Sequence, residues 1–338
     1  SRCCHGCMPH NAVVDVPMNS TVSHSLPALK GLTVLERGWL SSNNVLIHPA
    51  QPSDGEGEDS AAVLVDTGHA NHAEQTVALV RHALQGQRLG WVVNTHLHSD
   101  HCGGNQRLRE AFGCEVWVAP GMQDPVQHWR HERLTYVQTG QHCERFAADA
   151  ELSVQQPLRA GGRTWEVLRA PGHDPDSVML FDRQAGVLLS ADALWEHGFG
   201  VVFPEVQGEP GFDDVAAVLD LIASLPVQVV VPGHGAPFTD VAAALQRARS
   251  RLAGFQADPS RHARHAAKVL IKYHLMEIRQ QPWQALMDWA LQTPYLQVLY
   301  EHHGQGTGVS APQWISHFVQ DMLSSGALAV EDGVIKDV

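Results

Sequence analysis

Short apolar runs that end in polar, glycine-bearing turns recur along the first two thirds of the chain. Leu32 to Glu36 and Asn44 to His48 have the length and β-branched content of strands, and Gly38 to Asn44 between them reads as a loop. Ala61 to Asp66, Leu89 to Val93, Val187 to Asp192 and Val227 to Val231 repeat the pattern. Helical spacing of apolar positions falls between these runs, at His72 to Leu84, Asn105 to Phe112 and Asp213 to Leu225. The last opens on two capping aspartates and stops at Pro226. Strand followed by helix, repeated, predicts an α/β architecture. The stretch Gln51 to Ser60, rich in Gly, Asp and Glu, predicts a solvated turn.

Beyond about residue 255 the character changes. Apolar periodicity predicts four helices, at 260–279, 282–292, 294–303 and 311–325. The chain then closes on alternating residues either side of Asp332-Gly333, a hairpin signal. Helices closed by a hairpin resemble a winged helix. Residues 258–338 carry six Lys and Arg against eight Asp and Glu, a net −2, which is a poor balance for gripping phosphates. This module is therefore expected to pack over the mouth of a site or to make a homodimer.

At 338 residues the chain suits one large and one small domain, and 44% hydrophobic content supports a real core. A formal charge of −13 argues against an extended nucleic-acid footprint, so nucleic acid is not an expected partner. No run approaches the roughly 18 uninterrupted apolar residues of a membrane span, and the amino terminus lacks a signal-peptide apolar region. The expectation is a soluble, cytoplasmic protein. Cys3, Cys4 and Cys7 crowd the start with His5 but lack a second ligand pair at finger spacing, and Met8 is a candidate natural start. Cys102, Cys114 and Cys143 are scattered, as free thiols of a reducing compartment would be, with Cys102 read as a small buried residue in its turn.

The candidate chemistry lies where the predicted strands end. Thr95-His96-Leu97-His98-Ser99-Asp100-His101 follows the run 89–93, and three histidines and an aspartate within six residues have no packing rationale. In extended backbone His96 and His98 point the same way, while Asp100 and His101 fall where the chain turns into the next helix. His173 stands in Ala170-Pro171-Gly172-His173, His234 in Pro232-Gly233-His234-Gly235, and Asp192 closes another run. Any one of these histidines alone, among 22, is as well explained by a hydrogen-bonded structural role. Together the seven predict a site for two metal ions, because imidazole and carboxylate both suit zinc at about 2.0–2.2 Å. Ser99 has no free base beside it and is read as structural.

With these residues in view, the chain resembles the metallo-β-lactamase-fold hydrolases, whose T-H-x-H-x-D-H-x-G-G signature is matched by Thr95 to Gly104. The resemblance covers roughly residues 30 to 240 and implies a four-layer αββα sandwich, here followed by a small, mainly helical carboxyl-terminal domain. The domain division it suggests is an amino-terminal tail over 1–25 that need not be ordered, a metal-binding domain over 26–254 and a winged-helix-like domain over 255–338. It implies that His96, His98 and His173 hold one metal and Asp100, His101 and His234 the other, with Asp192 bridging. Asp66 would support the metal loop without binding the ion, although a plain turn-forming aspartate explains it equally well. Family members that cleave β-lactams generally lack the bridging aspartate. Thioester hydrolases of the glyoxalase II type, lactonases and RNA-processing members have it.

The activity implied is metal-assisted hydrolysis of a thioester or other acyl ester by a metal-bridging hydroxide, with Asp100 holding or shuttling the water proton while it ligates. Zinc is the first expectation, and iron or manganese would suit the same donors. A small-molecule acyl substrate is the expected partner, with Trp39, Trp195 and Phe199 as candidate pocket walls. The competing functions are a phosphodiesterase or ribonuclease, a lactonase, and a catalytically weak ligand-sensing module. Arg261, Arg264, Lys268 and Lys272 recur on one helical face; they read as a solvated stripe or as a receptor for the carboxylates or phosphates of a thiol carrier.

Overall fold

The computed structural model describes residues 26–50 and 61–338. The expectations for residues 1–25, with Cys3, Cys4 and Cys7, and for the turn at 51–60 lie outside the described residues. Among the described residues up to 232, eleven strands form two sheets. One runs β1 (Leu32–Leu35), β2 (Asn44–Ile47), β3 (Ala62–Val65), β4 (Leu89–Val93), β5 (Glu115–Val118) and β6 (Ala150–Glu151) side by side in chain order. The other is ordered β11-β10-β9-β8-β7, from β7 (Leu158–Ala160), β8 (Arg163–Arg169), β9 (Val178–Asp182), β10 (Val187–Ala191) and β11 (Val229–Pro232).

The strands of the second sheet explain the layering. Val178 and Leu180 of β9, Val187 and Leu189 of β10, and Val229 and Val231 of β11 face the first sheet in one core. The alternate residues Met179, Phe181, Leu188 and Val230 face the helices Phe212–Ser224 and Val241–Ala257 in another. Side chains alternate across a pleated strand, so strands buried on both faces read as continuous apolar runs. On the outer side of the first sheet lie the helices Ala73–Leu84 and Asn105–Phe112, buried through Val77, Val80, Leu84 and Leu108. The result is helix, sheet, sheet, helix. Truncating a fully buried member such as Phe181 to alanine would cost about 3–5 kcal/mol.

Strand direction gathers the ends that matter. In the first sheet β3, β4 and β5 run parallel. In the second, β8 and β10 are each antiparallel to β9, and β11 is parallel to β10, so β8, β10 and β11 all finish at one edge. Val178 N–H donates to Thr95 O at 2.9 Å and ties the two sheets together beside that edge.

The last part of the chain follows the predicted helices within one or two residues: Pro259–Ile278, Trp283–Gln292, Pro294–His303 and Ala311–Ser324. The hairpin is β13 (Leu328–Glu331) with β14 (Val334–Asp337), and a short strand β12 (Gln280–Pro282) pairs with β14 to complete a three-stranded antiparallel sheet. Its core of leucine, alanine and aromatic residues also takes in Val201, from the loop after β10, and Val206, from the short helix Phe203–Val206 that follows it. The helix Pro259–Ile278 thereby faces the open edge of the sandwich, and Tyr273 Oη donates to Leu40 O at 2.9 Å across the gap.

Candidate metal centre

Four connections at the shared strand edge carry the site. The loop after β4 supplies His96 and His98 and the short helix Ser99–Cys102 supplies Asp100 and His101, while His173, Asp192 and His234 follow β8, β10 and β11. All seven are buried, none more than 8% exposed. Their ligating atoms fall into two groups, His96 with His98 and His173, and Asp100 with His101, Asp192 and His234, each within 4.8 Å.

In the first group His98 Nδ1 lies 3.1 Å from His96 Nε2 and 2.8 Å from His173 Nε2. His173 donates its Nδ1–H to Val201 O at 2.6 Å, so in its neutral form the Nε2 lone pair faces inward. Burial pulls the pKa of all three histidines down, to about 3 for His98, with the neighbouring imidazoles adding to the effect at His96 and His98. Three neutral rings with converging lone pairs have nothing to gain from one another. Ligand nitrogens around one zinc stand roughly 3.3 Å apart, so a shared cation resolves the contact.

The second group is ordered from outside. Asp66 Oδ2 accepts from His101 Nδ1 at 2.7 Å and from Thr95 Oγ1 at 2.8 Å, and its Oδ1 accepts from Thr95 N–H at 2.9 Å. His101 Nε2 therefore points into the group, where it has no hydrogen-bond partner. An orphaned buried imidazole nitrogen among carboxylates is what a metal ligand looks like without its ion. Burial alone would raise the Asp192 and Asp100 carboxyls, but the surrounding histidines outweigh it, holding Asp192 well below the usual range and Asp100 at about 2. His234 Nε2 meets Asp100 Oδ2 at 3.0 Å.

Asp192 joins the two groups. Its Oδ2 is 3.4 Å from His173 Nε2 on one side and 3.4 Å from His101 Nε2 on the other, while Oδ1 accepts from Trp195 Nε1 at 3.2 Å. Gly233 makes this approach possible: a Cβ there would stand 2.2 Å from Asp192 Oδ1. The donor set of imidazole and carboxylate fits two divalent cations of the zinc, iron or manganese type.

Around the centre the loop Gly38–Asn44 is stitched down. Ser42 N–H donates to Asp100 O at 2.9 Å, Asn43 N–H to Gly233 O at 2.7 Å, and Asn43 Nδ2 to Pro232 O and Gly235 O. This lays the Trp39 ring parallel to His234, at 5.3 Å between centroids, with Trp195 edge-on to both. A cleft of about 1160 Å³ opens over the metal-site side chains and is walled by Trp39, Trp195, Phe203 and the helix Pro259–Ile278. Phe199, expected as a wall, is 1% exposed and does not line this cleft. It packs against Phe255, and Phe203 four residues on takes the wall position beside His98 and His173.

A model of the metallo-β-lactamase superfamily matches residues 37–234. The chain belongs to that superfamily. Among curated relatives it is similar to a hydroxyacylglutathione hydrolase of Methylococcus capsulatus, 28% identical over 44% of this chain and 48% of that one. It is also similar to one of Anaeromyxobacter dehalogenans, 31% identical over 58% and 68%. The chain thus spans about half the length of the first and two thirds of the second. A metallo-β-lactamase family protein of Thermus thermophilus has the same fold over 92% of this chain and 99% of its own, with a TM-score of 0.52 and 20% identity.

Two further residues emerge that sequence reasoning did not single out. Asp174 Oδ2 lies 3.4 Å from His98 Nε2, and burial pushes its carboxyl up to about 7. Its signal was an acid directly after His173. Tyr136 Oη donates to Leu97 O at 2.8 Å and meets Cys102 Sγ at 3.1 Å, and Cys102 belongs to neither ligand group. Ser99 Oγ is committed to Gln141 Oε1 at 2.8 Å, in keeping with its structural reading. The basic stripe is mostly paired locally: Arg264 with Asp258 and Ser260, Lys268 with Asp321, and Lys272 with Asp337 and Ala327 O.

Proposed function

We propose that this protein is a binuclear metal-dependent hydrolase of thioesters or related acyl esters, with His96, His98 and His173 holding one ion, Asp100, His101 and His234 the other, and Asp192 spanning both. The observation that carries the reading is the equal 3.4 Å approach of Asp192 Oδ2 to His173 and His101. The chemistry that two divalent ions supply when bound is a lowered pKa for shared water and polarisation of the carbonyl under attack. The chain's own residues do the rest. Asp100, ionised at neutral pH, faces His234 with one oxygen and can take up the proton of an attacking water. Asp66 and the Val201 carbonyl hold His101 and His173 in the tautomers that leave Nε2 free. Trp39, Trp195 and Phe203 wall an apolar approach to the reacting carbonyl.

The relatives named as hydroxyacylglutathione hydrolases support a thioester. Among the described residues no helix is long and apolar enough to cross a membrane. We keep zinc, a winged-helix assignment of residues 255–338 and a homodimer as parts of this proposal. The test is turnover by the metal-loaded protein of acyl-glutathione, acyl-coenzyme A, lactone and bis-nitrophenyl phosphate. Thioester hydrolysis well above the others is the expected result. Hydrolysis of the phosphodiester alone would replace the reading with a phosphodiesterase, and no turnover with both ions bound would favour a ligand sensor.

A further inference from the structure

Arg251, on the helix Val241–Ala257, is a cation without an acid. It is partly buried, it lines the same cleft as the metal-site side chains, and among the described residues no carboxylate pairs with it. Its guanidinium is held in place by neutral groups: Nη2 lies 2.7 Å from His265 Nε2, and the Phe199 and Phe255 rings stand 5.5 and 5.4 Å from its central carbon. Room for it is made by Gly198, where a Cβ would fall 2.7 Å from Nη1. His265 is kept neutral at pH 7, its pKa lowered to about 4 by burial and by the cations beside it, so its lone pair can accept from the Arg251 N–H. Guanidinium groups in folded proteins are ordinarily paired with carboxylate or phosphate, and a fixed, partly desolvated fork with unused N–H donors is preorganised for one.

The distance from the chemistry can be bounded. Gly198 touches Arg251, and Gly200, two residues on, would place a Cβ 2.3 Å from His173 Nδ1. Two residues of extended chain plus these contacts put the guanidinium within roughly 15 Å of the His173 ring. We propose that Arg251, presented by His265, Phe199 and Phe255, is a subsite for an anionic group of the substrate, a carboxylate or phosphate. This rests on the hydrolase reading for its connection to turnover, but not for binding. It also relocates the anion receptor from the stripe Lys268 and Lys272, whose ammonium groups are engaged by Asp321 and Asp337.

The test uses the metal-loaded full chain and its Arg251→Met and Arg251→Lys variants. Acetyl thioesters of three thiols of matched length, ending in a carboxylate, a phosphate monoester or a neutral amide, are compared by kcat/KM. Loss of a charged bidentate contact predicts a tenfold to hundredfold fall for Arg251→Met on one or both anionic members, carried mainly by KM, against less than twofold on the amide, with partial rescue by Arg251→Lys. Which anionic member is affected tells carboxylate from phosphate. Binding is read separately by calorimetry with 4-(methylthio)butanoate, 3-(methylthio)propyl phosphate and 4-(methylthio)butanamide, which cannot be hydrolysed as thioesters. If no thioester is turned over but an anionic thioether still binds through Arg251, the hydrolase reading fails and the subsite stands. If the anionic and neutral probes bind alike and Arg251→Met treats all three thioesters alike, the subsite is wrong.

Discussion

Asp66 and His101 meet at 2.7 Å, oxygen to Nδ1, and through that bond a residue outside both ligand groups fixes which nitrogen His101 presents to the centre. Asp66 is itself in left-handed backbone, φ 58°, a conformation that asparagine tolerates nearly as well. Asp66→Asn is therefore expected to fold while weakening the His101 tautomer. Metal affinity should fall by about 10–100-fold, measured by competition with a chromophoric chelator. Unchanged affinity would mean that Asp66 serves only the turn.

Gly233→Ala adds one methyl group at a position whose φ permits it, yet that methyl would stand 2.2 Å from Asp192 Oδ1 and 3.0 Å from His101 Cε1. The carboxylate must move. The variant is expected to fold, to bind less than two equivalents of metal and to lose at least tenfold in activity. Full metal content at wild-type activity would show that the position of Asp192 does not depend on this close approach and does not set metal binding.

Lys272 bonds Ala327 O and Asp337, and Arg279 approaches the other Asp337 oxygen, so these cations close the final hairpin onto the helix Pro259–Ile278. Lys272→Met should lower stability by about 1–2 kcal/mol in denaturant titration, with KM for anionic thioesters changed less than twofold. A large KM effect at unchanged stability would return Lys272 to the substrate.

His262 gives the protein an acid-sensitive joint. Its Nε2 accepts from Val202 N–H at 3.1 Å, between the Phe212 and Phe255 rings. Burial first, then His265 and Arg251, lowers its pKa from 6.5 to about 3. The unfolded chain takes up this proton before the folded one, so the stabilising contribution is whole above about pH 6.5 and is lost progressively as pH falls toward 3. His262→Gln keeps an acceptor that does not titrate. Its stability should decline less steeply between pH 6.5 and 4, by up to about 1.4 kcal/mol per pH unit, in melts at matched pH values. Parallel decline in both proteins would remove His262 from the joint.

The convergence of the seven candidate ligands was legible because the 96–101 cluster, His173, Asp192 and His234 each follow an apolar run, and in the second sheet β8, β10 and β11 run the same way and deliver their ends to one edge. The helices after residue 258 were legible from their apolar periodicity, and Asp258 and Ser310 cap the first and last of them. Phe199 was misread because an aromatic near a ligand looks the same whether it lines a cleft or fills a core; the loop turns between 199 and 203, and only contacts reveal which ring faces inward. Arg251 gave no signal, since what distinguishes it is a missing partner, and pairing is a property of three dimensions. Asp66 could be read as a turn or as a support; it has the left-handed backbone of a turn and also bonds His101.

Whether the seven side chains cage a pair of ions is decided by elemental analysis of the purified protein beside its His98→Ala and Asp192→Ala variants. Two equivalents of divalent metal are expected in the parent, with metal and hydrolysis lost together in each variant. Two full equivalents retained by either variant would rule out the binuclear centre.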